Sequence, residues 1–251
     1  MQFVAGPRRV WKGVRGVLER AEELQRQTLR IYGELMVRRE SWAGRLVFAC
    51  GPGVSATGLP AAVSIAGGAA LVLDSDAAMV KSVFRKGGVD FVVNTLDEAL
   101  RVLKNEIRKG RPLSVVLEGK TEPALEELRE RGVLPELQVE FADSGDSAER
   151  LGRDALLLDP RAETVLPSLD LQGWLSQHGW AETVLAATTT AGLREVDARL
   201  LARLPEGDKV RRGWIQRIAQ YERPAPGGAR VIWLTEAERA EASGDDAPAD
   251  I

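Results

Sequence analysis

Short apolar runs alternate with helical patterns from residue 45 to residue 141, and this alternation indicates the fold class. The apolar runs predict strands at Leu46–Cys50, Ala69–Leu73, Asp90–Val93, Leu113–Leu117 and Leu137–Phe141. The segments between them predict helices at Gly58–Ala66, Asp76–Lys86, Leu96–Lys109 and Glu122–Arg131. Strands that alternate with helices form βαβ units, whose right-handed crossovers place helices on both faces of a parallel sheet. The pattern therefore predicts an α/β protein with a doubly wound parallel sheet.

Helical patterns flank this predicted sheet on both sides. Apolar residues recur at three- and four-residue steps from Pro7 to Arg39, and Gly33 is expected to end or bend this N-terminal helix. A polar, turn-rich stretch at 143–154 follows the last strand and predicts a linker. Beyond it the pattern predicts a strand at Ala229–Leu234, a short helix capped by Thr235, and helices at Leu169–His178, Glu182–Ala187, Leu193–Leu204 and Val210–Tyr221.

A glycine turn follows the first predicted strand. The order of a strand, the turn Gly51-Pro52-Gly53-Val54-Ser55-Ala56 and a small-residue helix from about Thr57 is typical of the opening of a Rossmann-like dinucleotide-binding unit. The first glycine permits the tight turn, the second permits close approach of a pyrophosphate, and the helix N-terminus offers free N–H groups to an anion. Ser55 either donates to a phosphate or caps the helix. The structural alternative is a glycine turn that binds nothing.

Two further positions fall at the same edge of the predicted sheet. Asp74 ends the second strand 23 positions after Gly51, close to the ~20-residue interval at which an acidic residue reaches an adenosine ribose hydroxyl. The alternative, which we favour, is a cap or a solvated side chain, because Ser75 or Asp76 would start the next helix without any ligand. Lys120 follows the fourth strand and either meets a phosphate or is an ordinary exposed lysine.

The chain of 251 residues divides into four parts on this basis. Residues 1–40 form an N-terminal helical arm and residues 41–145 a Rossmann-like domain. Residues 146–240 form a mainly helical C-terminal part, and residues 241–251 an acidic tail that we expect to be disordered. Four of the six tryptophans lie in the C-terminal part. We expect them to anchor a helical cap or a dimer surface, with an aromatic ligand pocket as the alternative.

Composition and charge exclude several classes of function. The net charge is −3, and the chain has one cysteine, Cys50, and one histidine, His178. We therefore expect no nucleic-acid partner, no intramolecular disulfide and no structural zinc site. Asp143, Asp146 and Glu149 are expected to be a solvated acidic linker, with a metal cluster as the alternative. The sequence shows neither a signal-peptide pattern nor an apolar run of membrane-spanning length, so we expect a cytoplasmic protein without membrane contact.

The stretch from Ile31 to about Asp143 resembles the inserted Rossmann-like, NAD-binding domain of urocanase (urocanate hydratase). The similar segments are IYGELM at 31–36, WAGRLVFACGPG at 42–53, LPAAVSIAGGAALVLDSD at 59–76, VDFVVNTLDEAL at 89–100 and GRPLSVVLEGKTEPALEELRERGVLPE at 110–136. The resemblance implies this fold and NAD as the cofactor.

Few of the cofactor contacts implied by the resemblance are retained. Gly51 and Gly53 match, but the family's Gly-Met-Gly falls on Val54-Ser55-Ala56, and its Glu after the second strand is Asp74. The family's Arg five positions later falls on Met79, its Asn-Ala on Lys120-Thr121, and its Gln-Thr-Ser-Ala-His on residues 141–145. The candidate cofactor-binding residues are therefore Gly51, Gly53, Val54, Ser55, Ala56, Asp74, Lys120 and Thr121.

The catalytic part of the resemblance is missing. A full urocanase is more than twice as long, and nothing before Ile31 or after Asp143 resembles the substrate domain that supplies its catalytic groups. His178 is expected to be a surface or capping residue rather than a general base, so the catalytic residues are unknown. Three hypotheses stay open. The first is a binding or regulatory protein without hydratase activity that takes a nucleotide or small anion at the turn. The second is a urocanase-like lyase or another NAD-dependent enzyme, and the third is a structural subunit that forms a homodimer or contacts another protein.

Overall fold

The computed structural model describes residues 8–141, 151–158, 167–187, 189–221 and 228–244, with the backbone alone at 8–20, 141 and 243–244. The helices are α1 (Arg8–Arg38), α2 (Leu59–Ile65), α3 (Ala77–Lys86), α4 (Leu96–Lys109), α5 (Thr121–Glu130), α6 (Leu169–Gln177), α7 (Thr190–Arg203), α8 (Lys209–Tyr221) and α9 (Glu236–Gly244). The strands are β1 (Leu46–Cys50), β2 (Ala69–Asp74), β3 (Phe91–Val93), β4 (Leu113–Glu118), β5 (Leu137–Phe141), β6 (Asp154–Leu158), β7 (Ala181–Ala187) and β8 (Gly228–Leu234).

Six strands form one parallel sheet in the order β3-β4-β2-β1-β5-β6. From β1 the chain first builds β2, β3 and β4 on one side, and it then returns to place β5 on the other side of β1. The strand order therefore reverses at β1. Ligands of open parallel sheets bind at such a reversal, outside the carboxyl ends of the strands. The predicted α/β class is confirmed, and the glycine turn that follows β1 lies at this reversal.

Two buried apolar layers cover the two faces of the sheet. Side chains alternate along β1, so that Val47 and Ala49 face α1, α2 and the C-terminal part, whereas Phe48 faces α4 and α5. The first layer joins the sheet to the C-terminal helices in one continuous core. Because β1 and β2 are buried on both faces, they consist almost entirely of apolar residues.

The C-terminal part adds a second, two-stranded sheet. Strands β7 and β8 pair antiparallel along their full length, from Ala181 opposite Leu234 to Ala187 opposite Gly228. Helices α7 and α8 connect the two strands. No helix in the described part of the chain is long and apolar enough to cross a membrane.

Most predicted elements are confirmed, and two are corrected. The five strands and four helices predicted between residues 45 and 141 agree with the structure to within one residue at each end. The predicted helix at Glu182–Ala187 is wrong, because these residues lie in β7, where Thr183 and Val184 favour a strand and every residue pairs with β8. Strand β6 was not predicted; it pairs in parallel with β5.

The end of the chain also differs from the expectation. Thr235 caps α9 as predicted, since its Oγ1 accepts from the N–H of Glu238 at 3.3 Å. The helix reaches Gly244, so the first four residues of the predicted tail are helical. The rest of that tail, most of the predicted linker and the predicted boundary at 145–146 lie outside the described residues, and the division into domains stays a prediction.

Helix α1 continues through Gly33 to Arg38. The glycine at this position faces an aromatic ring. A Cβ atom at Gly33 would lie 2.6 Å from Cη2 of Trp233 and 2.8 Å from Cδ1 of Leu171. The absence of a side chain thus lets β8 and α6 pack directly on the helix. The expectation that Gly33 ends the helix is wrong, because close packing rather than helix termination explains this glycine.

Residues of α1 next to Gly33 also contact the C-terminal part of the chain. The Tyr32 hydroxyl donates to the carbonyl oxygen of Val210 at 2.9 Å, and burial raises the pKa of this hydroxyl. The buried Glu34 carboxylate accepts from the backbone N–H of Ser168 at 2.7 Å and from its Oγ at 2.9 Å. Ser168 in turn caps α6. The IYGELM segment therefore holds the C-terminal part against the sheet.

The tryptophans of the C-terminal part belong to this internal contact. Trp214 is 0 % exposed and Trp233 is 2 % exposed. Trp174 and Trp180 are half-buried, and each packs its ring against that of Trp233. The aromatic cluster therefore anchors the C-terminal part within the chain, and its two most buried members cannot form an outer surface.

We predict that Gly33→Ala destabilises the protein although alanine is the better helix former. The added methyl group must displace Trp233 and Leu171, and overpacking of this kind costs about 1–3 kcal/mol. Gly173 is the matched control, because it lies inside α6 with no atom within 4 Å of an added Cβ, and Gly173→Ala should stabilise by roughly 0.5–1 kcal/mol. Urea unfolding of both variants checks the prediction, and equal effects at the two glycines would contradict it.

Candidate functional site

The glycine turn at the end of β1 depends on left-handed backbone angles. Gly51 has a φ of 139° and Gly53 a φ of 76°, which side-chain-bearing residues rarely adopt. Gly51 is fixed by donating its N–H to the carbonyl oxygen of Leu73 at 3.0 Å. Residues Val54–Thr57 then form a single 3-10 turn before α2 begins. The sequence motif therefore folds as a tight turn at the carboxyl edge of the sheet.

The side chain of Asp74 fills the inside of this turn. Its Oδ1 accepts from the N–H of Gly53 at 2.9 Å and from that of Asp76 at 2.9 Å. Its Oδ2 accepts from the N–H of Ser55 at 3.0 Å and from the Ser55 hydroxyl at 2.6 Å. Asp74 is 0 % exposed. The carboxylate therefore uses its whole acceptor capacity on four donors of its own chain.

In this arrangement Asp74 itself is neither solvated nor a helix cap, and the predicted helix start at Asp76 is confirmed. A ribose hydroxyl could reach the carboxylate only by displacing one of its four donors. The side chain is not in solvent, and the helix cap belongs to its neighbour Asp76, whose Oδ1 accepts from the N–H of Met79 at 3.0 Å. Asp74 thus fastens the end of β2 to the turn after β1.

The start of α2 is closed as well. The helix has seven residues, all of them buried, and it carries Pro60, which has no N–H, in its first turn. Helix α1 covers the residue before it: a Cβ atom on Gly58 would lie 2.2 Å from Oγ1 of Thr28 and 3.2 Å from its Cα. The N-terminus of α2 is therefore not open in the way that a phosphate-binding helix start is.

The remaining candidate residues lie near the turn but do not converge on one point. Val54 is 4 % exposed and Ser55 is 1 % exposed. Ala56 is half-buried. Lys120 and Thr121 follow β4, where the neighbouring Gly119 donates its N–H to the carbonyl oxygen of Asp74 at 3.2 Å. Lys120 is exposed, and Thr121 is the half-buried first residue of α5.

The residues of the turn do not fit the pyrophosphate of a dinucleotide in this arrangement. The N–H groups of Gly53 and Ser55 would have to bind the phosphate oxygens, and both already donate to Asp74. A bound diphosphate would also lie beside a buried carboxylate of the same sign, which opposes binding. The family positions after β5 fall on residues 141–145, of which only the backbone of Phe141 is described.

Two contacts of this site were not predicted from the sequence. Thr28 covers Gly58 from α1, and the N–H of Asp76 completes the set of donors around Asp74. The pairing of Gly58 with a small residue of α1 leaves no local signal, because the two positions are 30 residues apart in the sequence. Asp74 was considered as a ribose contact, a cap or a solvated side chain, and its contacts with the N–H groups of the turn were not predicted.

Other potentially reactive side chains lie away from the turn or are inactivated by burial. His178 is the exposed C-cap of α6, where its Nδ1 lies 2.8 Å from the carbonyl oxygen of Trp174 and its ring stacks on Trp180. Burial raises the pKa of the Cys50 thiol, and the carboxylates of Glu122 and Glu140 raise it further. Among the described residues no group of three or more His, Cys, Asp or Glu side chains could hold a metal ion; Asp143, Asp146 and Glu149 lie outside them.

Comparison with known families shows which family the domain that contains the parallel sheet resembles. A family model described as the urocanase Rossmann-like domain matches residues 23–146. The match begins within α1, contains the glycine turn and Asp74, and ends before β6. Domains of this family are associated with NAD. Helices α6 to α9 and strands β7 and β8 lie outside the match.

We predict that Asp74→Asn strongly destabilises the protein. The amide oxygen can accept from only part of the four donors, and its NH₂ group would meet a buried N–H. A buried donor that is left unpaired costs about 1–3 kcal/mol, and the charge-assisted hydrogen bonds are lost as well. We therefore expect the free energy of unfolding to fall by roughly 2–4 kcal/mol. Asp76→Asn is the matched control, because asparagine caps helices as well as aspartate. Chemical denaturation measures both variants, and a neutral Asp74→Asn would show that the carboxylate does not hold the turn.

We also predict that Cys50 reacts slowly at neutral pH. Since burial raises the pKa of its thiol, the thiolate is scarce below about 8.5, the pKa of a free thiol, and the alkylation rate should rise only at higher pH. The same chain unfolded in urea is the control and should follow the ordinary thiol profile. Alkylation of the folded chain that is as fast as this control at pH 7 would contradict the prediction.

Proposed function

We propose that this chain, which contains a urocanase-family Rossmann-like domain, is an interaction protein without urocanate hydratase activity. In this proposal the glycine turn stabilises the fold and binds no dinucleotide. The observation that carries the proposal is the Asp74 carboxylate, which is fully buried and accepts from four donors of the turn and of the start of α3.

The energetics of ligand exchange support this proposal. To bind at the turn, a phosphate would have to take the N–H groups of Gly53 and Ser55 away from Asp74. The carboxylate would then be left buried without these donors, and an uncompensated buried charge is expensive. Movement of Asp74 would also free the start of α3, because the same carboxylate accepts from the N–H of Asp76.

The chemistry available near the turn supports the absence of hydratase activity. Addition of water across a double bond requires groups that transfer protons in the site. The Ser55 hydroxyl donates to Asp74 at 2.6 Å and no histidine lies in this contact, since the single histidine of the chain caps α6. Burial raises the pKa of the Cys50 thiol. The described residues of the turn itself, Gly51–Ala56, and Asp74 therefore offer no unengaged group for this step.

A second function is favoured by one specific observation. The turn keeps the left-handed glycines Gly51 and Gly53 and lies where the strand order reverses, which is the location of nucleotide sites in this fold class. A nucleotide or small anion, bound with or without a surviving NAD-dependent activity, is therefore the alternative. It requires a state in which Asp74 has left the turn.

Thermal unfolding with and without NAD⁺ separates these two functions. A ligand at ~100 times its dissociation constant adds roughly 2.7 kcal/mol of stability, which raises the Tm of a chain of this size by roughly 5–10 °C. We expect no shift with NAD⁺, NADP⁺ or ATP, and no change in the urocanate absorbance band when urocanate is added with NAD⁺. The absorbance assay carries an active urocanase as the positive control.

Binding of NAD⁺ or consumption of urocanate would contradict the proposal. A shift of several degrees with NAD⁺ that is absent in Gly53→Ala would restore the nucleotide site. An added Cβ at Gly53 meets no atom within 4 Å, so this variant alters the turn through its backbone angle rather than through a clash. Consumption of urocanate would restore the lyase hypothesis.

A further inference from the structure

The two strands of the C-terminal ribbon differ in how their outer edges are covered. On β8, the Gln25 side-chain amide donates to the carbonyl oxygen of Ala229 at 3.1 Å and accepts from the N–H of Val231. Trp214 Nε1 donates to the carbonyl oxygen of Val231 at 2.8 Å. The Arg211 guanidinium donates to the carbonyl oxygen of Trp233 at 3.3 Å. Side chains of α1 and α8 therefore cover the outer edge of β8.

These contacts also show which residues of β7 point outward. In an antiparallel pair, the N–H and C=O of one residue point to the same side. The backbone N–H and C=O groups of residues 229, 231 and 233 of β8 point away from β7. The same groups of the residues opposite them therefore point away from β8; these residues are Ala186, Val184 and Glu182. Within the described part of the chain, no hydrogen bond reaches the backbone N–H or C=O groups of these three residues.

Apart from the charge of Glu182, the sequence of β7 contains no feature that protects an edge strand. Soluble proteins usually guard edge strands with lysine, proline or a bulge, whereas AETVLAA contains none of these and pairs with β8 in unbroken register. Every residue of β7 is at least partly exposed, and Ala186 is exposed. Three N–H and three C=O groups therefore lie along the outer edge of β7, with the spacing needed to pair with another strand.

We propose that the outer edge of β7 pairs antiparallel with β7 of a second copy, joining the two ribbons into one four-stranded sheet. The inference rests on the proposed role as an interaction protein and specifies the partner of that role. The edge lies outside the residues that match the urocanase family.

The register of the edge favours a second copy over another extended chain. The outward residues are centred on Val184, so a two-fold axis at Val184 pairs this residue with its own copy and pairs Glu182 with Ala186. All three N–H groups and all three C=O groups then find partners in one arrangement. An interface of this kind is self-complementary, as a two-fold dimer requires.

The charges of the edge allow this pairing. Glu182 is the only charged residue of β7. Arg26 and Arg30 of α1 already pair with its carboxylate at 2.9 and 3.0 Å. In the proposed register it faces the uncharged Ala186 of the other copy. No like charges therefore lie directly opposite each other, a placement that would oppose strand pairing.

A groove lined by both apolar and charged side chains adjoins Leu185 and Ala186 of β7. It lies between α7 and α9, with Leu185, Val196, Leu200 and Leu234 among its apolar lining residues. A strand laid along β7 would point every second side chain toward this groove. The pairing would therefore bury apolar surface as well as form hydrogen bonds.

A pair of opposite charges at the two-fold axis tests the proposal. We expect the wild-type chain to sediment at twice its 27.3 kDa mass in analytical ultracentrifugation. Val184→Lys and Val184→Glu each place like charges opposite one another and should raise the dissociation constant of the dimer at least tenfold. An equimolar mixture of the two variants should recover the dimer as a heterodimer. Val184→Ala, which keeps the backbone donor and adds no charge, should stay dimeric.

Ala186→Pro gives an independent test at an exposed position. It removes one outward N–H, and proline is tolerated on edge strands where the N–H faces solvent, so the chain should fold and dimerise at least tenfold more weakly. Circular dichroism confirms folding of each variant. A monomeric wild type, or a dimer that all charged variants and Ala186→Pro leave intact, would overturn the proposal. A dimer that binds NAD⁺ would instead contradict only the proposed role of the turn.

Discussion

One buried face of helix α1 holds the two parts of the chain together. Thr28 closes the start of α2 beside the glycine turn, and Gly33 receives the ring of Trp233 from the ribbon. Gln25 covers the edge of β8, while Glu34 binds the N-terminus of α6. These contacts require small or hydrogen-bonding residues at fixed positions of a single helix. A change in its rotation or length would therefore disturb the turn and the ribbon together.

The same helix contributes to the arrangement that, in our proposal, keeps the Rossmann-like fold while leaving no dinucleotide site at the turn. Helix α1 covers Gly58 at the start of α2, and the N–H groups of Gly53 and Ser55 in the turn have an acceptor inside the protein. Asp74 is that acceptor. A carboxylate with four donors is well compensated, so the arrangement stabilises the turn that a cofactor would otherwise have to organise. The residues that suggest a cofactor site in the sequence are thus also those that hold the fold.

The sheet could be predicted from the sequence because its signals are local. The apolar strands β1, β2 and β4 are buried on both faces, and the glycines of the first turn adopt angles that few other residues adopt. The role of Asp74 could not be predicted in the same way. An acidic residue at the end of β2 is compatible with a ribose contact and with an internal contact, and only the position of the neighbouring N–H groups distinguishes them.

The error at Glu182–Ala187 has a similar cause. Alanine, leucine and glutamate favour a helix locally, yet the segment pairs with β8, which lies more than 40 residues later in the sequence. Tertiary pairing outweighs a local preference of a few tenths of a kcal/mol per residue. Because β7 is a strand and not a helix, its outer edge has no hydrogen-bonding neighbour within the described part of the chain, a feature that the local pattern conceals.

Amide hydrogen exchange at the glycine turn tests the central claim most directly. If Asp74 holds the turn from inside the fold, the N–H groups of Gly53 and Ser55 should exchange slowly, with protection close to that of the buried strand β1, and added NAD⁺ should not change their rates. The N–H of Asp76, which donates to the same carboxylate, should also exchange slowly and independently of NAD⁺. Rapid exchange at Gly53 and Ser55 that slows when NAD⁺ is added would contradict the account, because it would show that these donors are free and serve the cofactor.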